Sequence, residues 1–187
     1  MARLPIQSIE SATGSNKDIF ASFQKALGTV PNMTRVMANS PAVLKAYAQF
    51  SGAIASGKLS PQIREQIALL TAQSNACNYC LSAHSVLGKL AGLNQAQIDG
   101  ARNRRSADPK AAAALKFAQA IIETRGGIGG SEVQAVRNAG FSDAEIAEIV
   151  ADVALNFFTN FFNRAFDVDV DFPLVEAKQF EVAAASA

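Results

Sequence analysis

Three openings of one design, Leu59-Ser60-Pro61, Leu93-Asn94-Gln95 and Phe141-Ser142-Asp143, constrain this chain more than any other feature of it. Each sets an apolar residue before a side-chain oxygen and then a helical run. The oxygen accepts from backbone N–H groups that the first turn of a helix leaves unpaired, so each opening fixes a helix start. Apolar residues then return at helical spacing, as Ile63, Ile67 and Leu70 do. Ser40-Pro41 opens a further helix, because proline at the first helical position gives up no hydrogen bond. Asn94-Gln95-Ala96-Gln97 and Ser142-Asp143-Ala144-Glu145 read as capping boxes. No stretch alternates β-branched and polar residues in the manner of a strand, so an all-α chain built from αα-hairpins is predicted.

The same signals place helices over about 18–27, 32–38, 41–54, 61–73 and 109–124, with a long one opening at Ser142. A helix carrying Cys77, Cys80 and His84 is expected to start on a Ser74 or Asn75 cap and stop at Gly92. Residues 1–17 show no helical period and are expected to form an arm, while the tail after Phe180 is expected to fray. The 187 residues suit one domain, 1–187, with a core over about 18–175. The glycine-rich break Gly126-Gly127-Ile128-Gly129-Gly130 has no Gly-Lys-Ser/Thr ending and no strand before it, so it reads as a turn between helices and not a phosphate loop.

Seventeen basic and sixteen acidic residues, interspersed, leave a net charge of +1 and no electrostatic footprint for nucleic acid. The first ten residues lack the apolar segment of a secretory signal, and no apolar run reaches the ~18 residues of a membrane span. A soluble, cytoplasmic protein is the expectation. In that reducing compartment stable disulfides are rare, and the only two cysteines lie three positions apart, too close in sequence to staple distant segments. They read as reactive rather than architectural.

A cysteine reacts as its thiolate, which a helix N-terminus and a positive neighbour both favour. Cys77 and Cys80 fall at the start of their predicted helix, and His84, the chain's one imidazole, stacks a turn beyond Cys80. Glu65 lies on the preceding helix; in an antiparallel hairpin its carboxylate reaches His84 and orients it. The helix dipole favours Cys77 as the more acidic thiol and the imidazole favours Cys80, so these residues alone leave the order open. Other readings stay beside this one. The cysteines can be packed core residues, or a redox sensor or helical assembly protein can use them to switch a contact without catalysis. A metal site would have to be shared between subunits, since two cysteines and one histidine fall short of four zinc ligands. No bound metal or cofactor is expected. Asn156, Asn160 and Asn163 share a stripe that can line the cysteine pocket or face solvent, and Phe157, Phe158, Phe161, Phe162 and Phe166 form an aromatic face for the core or for a second subunit.

Glu65, Cys77-Asn78-Tyr79-Cys80 and His84, with Val30-Pro31-Asn32 before them and Asp171-Phe172-Pro173 after, resemble the alkylhydroperoxidase D-like branch of the carboxymuconolactone decarboxylase family. The resemblance spans about residues 25–175. It implies an all-helical fold, a symmetric homo-oligomer (dimer, trimer or hexamer), and alkylhydroperoxidase activity. It also implies a relay in which Glu65 and His84 draw the proton from Cys80, the thiol that attacks the peroxide, and Cys77 resolves. The reductant implied is a dithiol protein, lipoyl-bearing or thioredoxin-like. Tyr79 stands where the best-described members carry a second histidine.

Overall fold

The structure is a computed structural model and describes residues 2–178, so the predicted fraying after Phe180 lies outside the described residues. Among the described residues the chain is all-helical: α1 Gly14–Leu27, α2 Asn32–Met37, α3 Pro41–Ala55, α4 Pro61–Ser74, α5 Asn78–Leu90, α6 Gln95–Arg102, α7 Pro109–Thr124, α8 Gly130–Asn138 and α9 Asp143–Phe166. The starts follow the capping chemistry. The hydroxyls of Ser40 and Ser60 accept from the amides of Val43 and Ile63, and the Asn94 and Ser142 capping boxes both close. α1 begins at Gly14, inside the segment expected to be an arm, and buries Phe20 against the core.

α4 lies at the centre. Ile67, Leu69, Leu70 and Ala72 are fully enclosed, and the helix packs against α5, α9, α6 and α7. From Gln66 to Gln73 every residue of α4 is buried, the polar Gln66, Thr71 and Gln73 included, and that all-round burial suits the middle of a bundle. α3 ends in a turn that α9 clamps, because the carboxylate of Glu148 accepts from the amides of Lys58 and Leu59 at 2.7–2.9 Å. The described segments before α1 and after α9 lie over the bundle. The Arg3 amide donates to the Phe166 carbonyl at 2.7 Å. After α9, the amides of Val175 and Ala177 donate to the Ser82 hydroxyl and the Asn78 side chain, each at 2.9 Å, which lays this segment across α5.

The α4–α5 turn sets the cysteines in place. Ala76 adopts a left-handed conformation, φ 50°. The amides of Ala76 and Cys77 reach back to the carbonyls of Gln73 and Ala72, the two bonds of a Schellman ending. Glycine usually occupies that left-handed position; an alanine there costs about 1–2 kcal/mol, which the flanking packing offsets. The expected Ser74 or Asn75 cap is not used. The Asn75 side chain instead donates to Oδ1 of Asn160 at 3.0 Å, and the sulfur of Cys77 itself caps α5.

Candidate active site

Cys77 is the N-cap of α5 and Cys80 its third residue, so the Cys80 amide points at the Cys77 sulfur, 3.3 Å away. Both thiols are reduced and nearly sealed, with 1 % and 2 % of their surface exposed. Hydrogen bonding from the Cys80 thiol is the largest influence on Cys77; burial opposes it, while the Cys80 amide and the charges of His84 and Arg164 reinforce it. The net effect holds the Cys77 thiol below its ordinary range. Burial pushes Cys80 the other way, well above that range, helped by its role as donor to Cys77. The reduced pair therefore ionises first on Cys77. That is the order the helix terminus favours and the opposite of the order the imidazole alone implies.

The Cys80 sulfur accepts from the Asn163 amide at 3.2 Å, and the same NH2 group lies 3.1 Å from the Met33 sulfur. Asn156, Asn160 and Asn163 are all buried on α9, so the whole amide stripe faces inward, and Asn163 is the member that donates to the Cys80 sulfur. Tyr79 points toward α2: its hydroxyl accepts from the Met33 amide at 3.1 Å, and its ring meets Phe172 edge-on at 5.8 Å. Burial keeps that phenol neutral.

Glu65 and His84 meet as the hairpin predicts, with Oε2 2.8 Å from Nδ1 and both side chains 20 % exposed. Burial alone would lower the imidazole's pKa, but the Glu65 carboxylate outweighs it and raises the value above the ordinary one. With Nδ1 bonded to Glu65, Nε2 is the nitrogen left to exchange a proton. His84 borders two cavities. One, about 70 Å³, is shared by Cys80, Tyr47, Tyr79, Asn163 and Phe172; the other, about 160 Å³, is walled by Glu65, Arg64, Asp152 and Asn156. Cys77 borders a third space of about 290 Å³, with Arg164 and Asp167 at its rim. The four residues singled out in the sequence thus gather on the α4–α5 hairpin. Asn163, Met33, Tyr47 and Asp152 join them from helices far off in sequence. In the sequence Asn163 falls on a stripe able to line the cysteine pocket, and Asp152 leaves a fainter trace, as an acidic residue on the inward stripe of its helix with Ile149 and Asn156.

Among the described residues no group of three or more His, Cys, Asp and Glu side chains is arranged to hold a metal ion. No helix among them is long and apolar enough to cross a membrane.

No curated protein matches the chain significantly. Solved structures do match. One described as an alkylhydroperoxidase AhpD core, an uncharacterized peroxidase-related protein from Ralstonia eutropha, superposes with a TM-score of 0.83 at 21 % identity, over 91 % of this chain and 92 % of that one. A peroxidase-related protein from a Silicibacter species gives 0.79 at 24 %, over 90 % and 91 %. A debrominase, Bmp8, solved with 2,3,4-tribromopyrrole, gives 0.75 at 23 %, also over 90 % and 91 %. At these identities the likeness is one of fold. Residues 41–123, which hold Glu65, both cysteines and His84, match the carboxymuconolactone decarboxylase family, and the chain as a whole has the AhpD-like fold.

Proposed function

We propose that the protein is a thiol peroxidase that reduces an organic hydroperoxide at the Cys77–Cys80 pair and is reset by a dithiol protein. The observation that carries this reading is the arrangement of the site: a Cys77 thiol made more acidic than usual and a His84 imidazole made more basic, on either side of a Cys80 that shares its cavity with His84. The fold's likeness to proteins described as peroxidase-related supports it.

The chemistry balances within the site. The proton of Cys80 passes to Cys77, and the Cys80 thiolate attacks the terminal peroxide oxygen, breaking the O–O bond. The alkoxide takes the proton of the His84 imidazolium and leaves as alcohol. The Cys80 sulfenic acid then condenses with the Cys77 thiol, forming the disulfide and releasing water. A donor dithiol exchanges with that disulfide, returning both thiols and leaving oxidised, after which one proton moves from Cys77 to His84. Glu65 keeps the imidazole oriented throughout and favours the return of its proton at the end of the cycle. A homo-oligomer is part of the proposal, since Phe158 and Phe161 stand exposed on α9.

Substitution separates the two sulfurs. Cys80→Ser abolishes hydroperoxide consumption, whereas Cys77→Ser, though slowed by the loss of the proton acceptor, still forms a sulfenate that dimedone traps; a sulfenate trapped in Cys80→Ser and none in Cys77→Ser would reverse the assignment. A redox sensor, the competing reading, would consume one equivalent and stop although dithiol is present. The Bmp8 likeness makes a brominated pyrrole a useful control substrate.

A further inference from the structure

The cavity behind His84 holds a carboxyl group that the thiol chemistry above does not use. Asp152 is buried on α9, and its Oδ2 has no protein hydrogen-bond partner. Its Oδ1 has only a long contact, 3.4 Å, from the Asn156 amide, which donates at 2.9 Å to the Asp152 carbonyl instead. The guanidinium on the same wall is committed elsewhere: Arg64 donates to the carbonyls of Ile54, Ala55 and Leu59, tying α4 to the end of α3.

The groups facing this carboxyl come from each helix that walls the cavity. α3 supplies Tyr47 and Ser51, α4 supplies Arg64 and Glu65, and α5 supplies His84; the lining includes no residue of α7 or α8, which also pack on α9. Tyr47 is pushed by burial to about 12 and stays neutral. The other titratable or charged neighbours are Glu65, His84 and Arg64. An enclosed carboxyl whose one donor is a long contact, opposite a carboxylate, favours its protonated form.

We propose that Asp152 is a positioning residue for the Glu65–His84 pair, a neutral carboxyl whose ionisation sets how tightly the imidazole keeps its proton. While it is neutral, Glu65 is the one carboxylate that balances the imidazolium, with the Cys77 sulfur beyond it, and the proton remains available to a leaving alkoxide. Once Asp152 ionises, a second negative charge faces His84 across the cavity and holds the proton back. Burial, with the Glu65 charge second, raises this carboxyl to about 8, so the change falls just above neutrality. The role rests on the thiol peroxidase reading, because it concerns the proton that His84 handles there.

The chain's one histidine makes the test direct, since its imidazole signals in NMR need no assignment among others. The full chain is titrated in its reduced form, without peroxide or donor. The expected result is an inflection in the His84 signals near pH 8 that Asp152→Asn removes while lowering the imidazole midpoint, and that Asp152→Glu retains. A His84 titration identical in the wild type and Asp152→Asn overturns the inference. Should Asp152→Asn fail to fold, infrared spectra of the aspartate-labelled wild-type chain decide: a protonated-carboxyl band present at neutral pH and lost at alkaline pH supports the role, and no such band at neutral pH refutes it. A chain that shows this titration and consumes no hydroperoxide refutes the peroxidase reading alone. One that consumes hydroperoxide with an unchanged His84 titration refutes the inference alone.

Discussion

Replacing Tyr79 with phenylalanine removes one oxygen atom, and the structure says which group is left wanting. α2 begins after Pro31, whose side chain caps nothing, so its first amides look outside the helix. Asp171 accepts from the Asn32 amide at 2.8 Å and the Tyr79 hydroxyl accepts from the Met33 amide at 3.1 Å. Tyr79→Phe keeps the ring and its edge-on contact with Phe172 but strands the Met33 N–H, which is buried, and an unpaired buried donor costs about 1–3 kcal/mol. Urea unfolding should show a midpoint reduced to match, with unchanged slope. Hydrogen exchange should show the Met33 amide losing protection ahead of the α4 amides. Because the Met33 and Cys80 sulfurs share the Asn163 amide, alkylation of Cys80 should also quicken. A stability loss under about 0.5 kcal/mol, with Met33 protection unchanged, would refute the capping role given to Tyr79.

Two further outcomes follow from burial. Leu69→Ala empties the middle of α4, where the side chain is fully enclosed, and should cost about 2–5 kcal/mol in chemical denaturation, with a loss under about 1 kcal/mol arguing against α4 as the centre of the core. The raised Asp152 carboxyl makes stability depend on pH in a definite direction: the native state holds the proton more tightly than the unfolded chain does. Its contribution is fully present below 3.8, and is lost as pH rises through about 8. At about 1.4 kcal/mol per pH unit that is about 6 kcal/mol across the window, so unfolding curves of the wild type should weaken between pH 5 and pH 8 relative to Asp152→Asn, and parallel curves would contradict the burial.

The helix starts were legible because their chemistry is local. Ser40, Ser60, Asn94 and Ser142 each cap through an oxygen within three residues of the amide served, and that distance is visible in the sequence. Glu65 and His84 were legible for a related reason: a short hairpin leaves a carboxylate and an imidazole 19 positions apart facing one another. The cap of α5 was not, since a thiol is seldom a helix cap and two better acceptors, Ser74 and Asn75, precede it. Nor was the order of thiol acidity. It depends on how deeply Cys80 is enclosed by Met33 and Asn163, from α2 and α9, and helical spacing within α5 carries no information about those neighbours. Asp152 was passed over for the same cause, as its environment is assembled by α3, α4 and α5.

Whether the two sulfurs act as one redox couple is decided most directly by mass spectrometry with thiol counting on the reduced chain after one equivalent of cumene hydroperoxide. The account predicts that both thiols disappear together, that the mass falls by two hydrogens, that cumyl alcohol forms in equal amount, and that a dithiol restores the starting mass. Thiols left intact, or a single cysteine carrying a lasting extra oxygen with no bridge to the other, would contradict it.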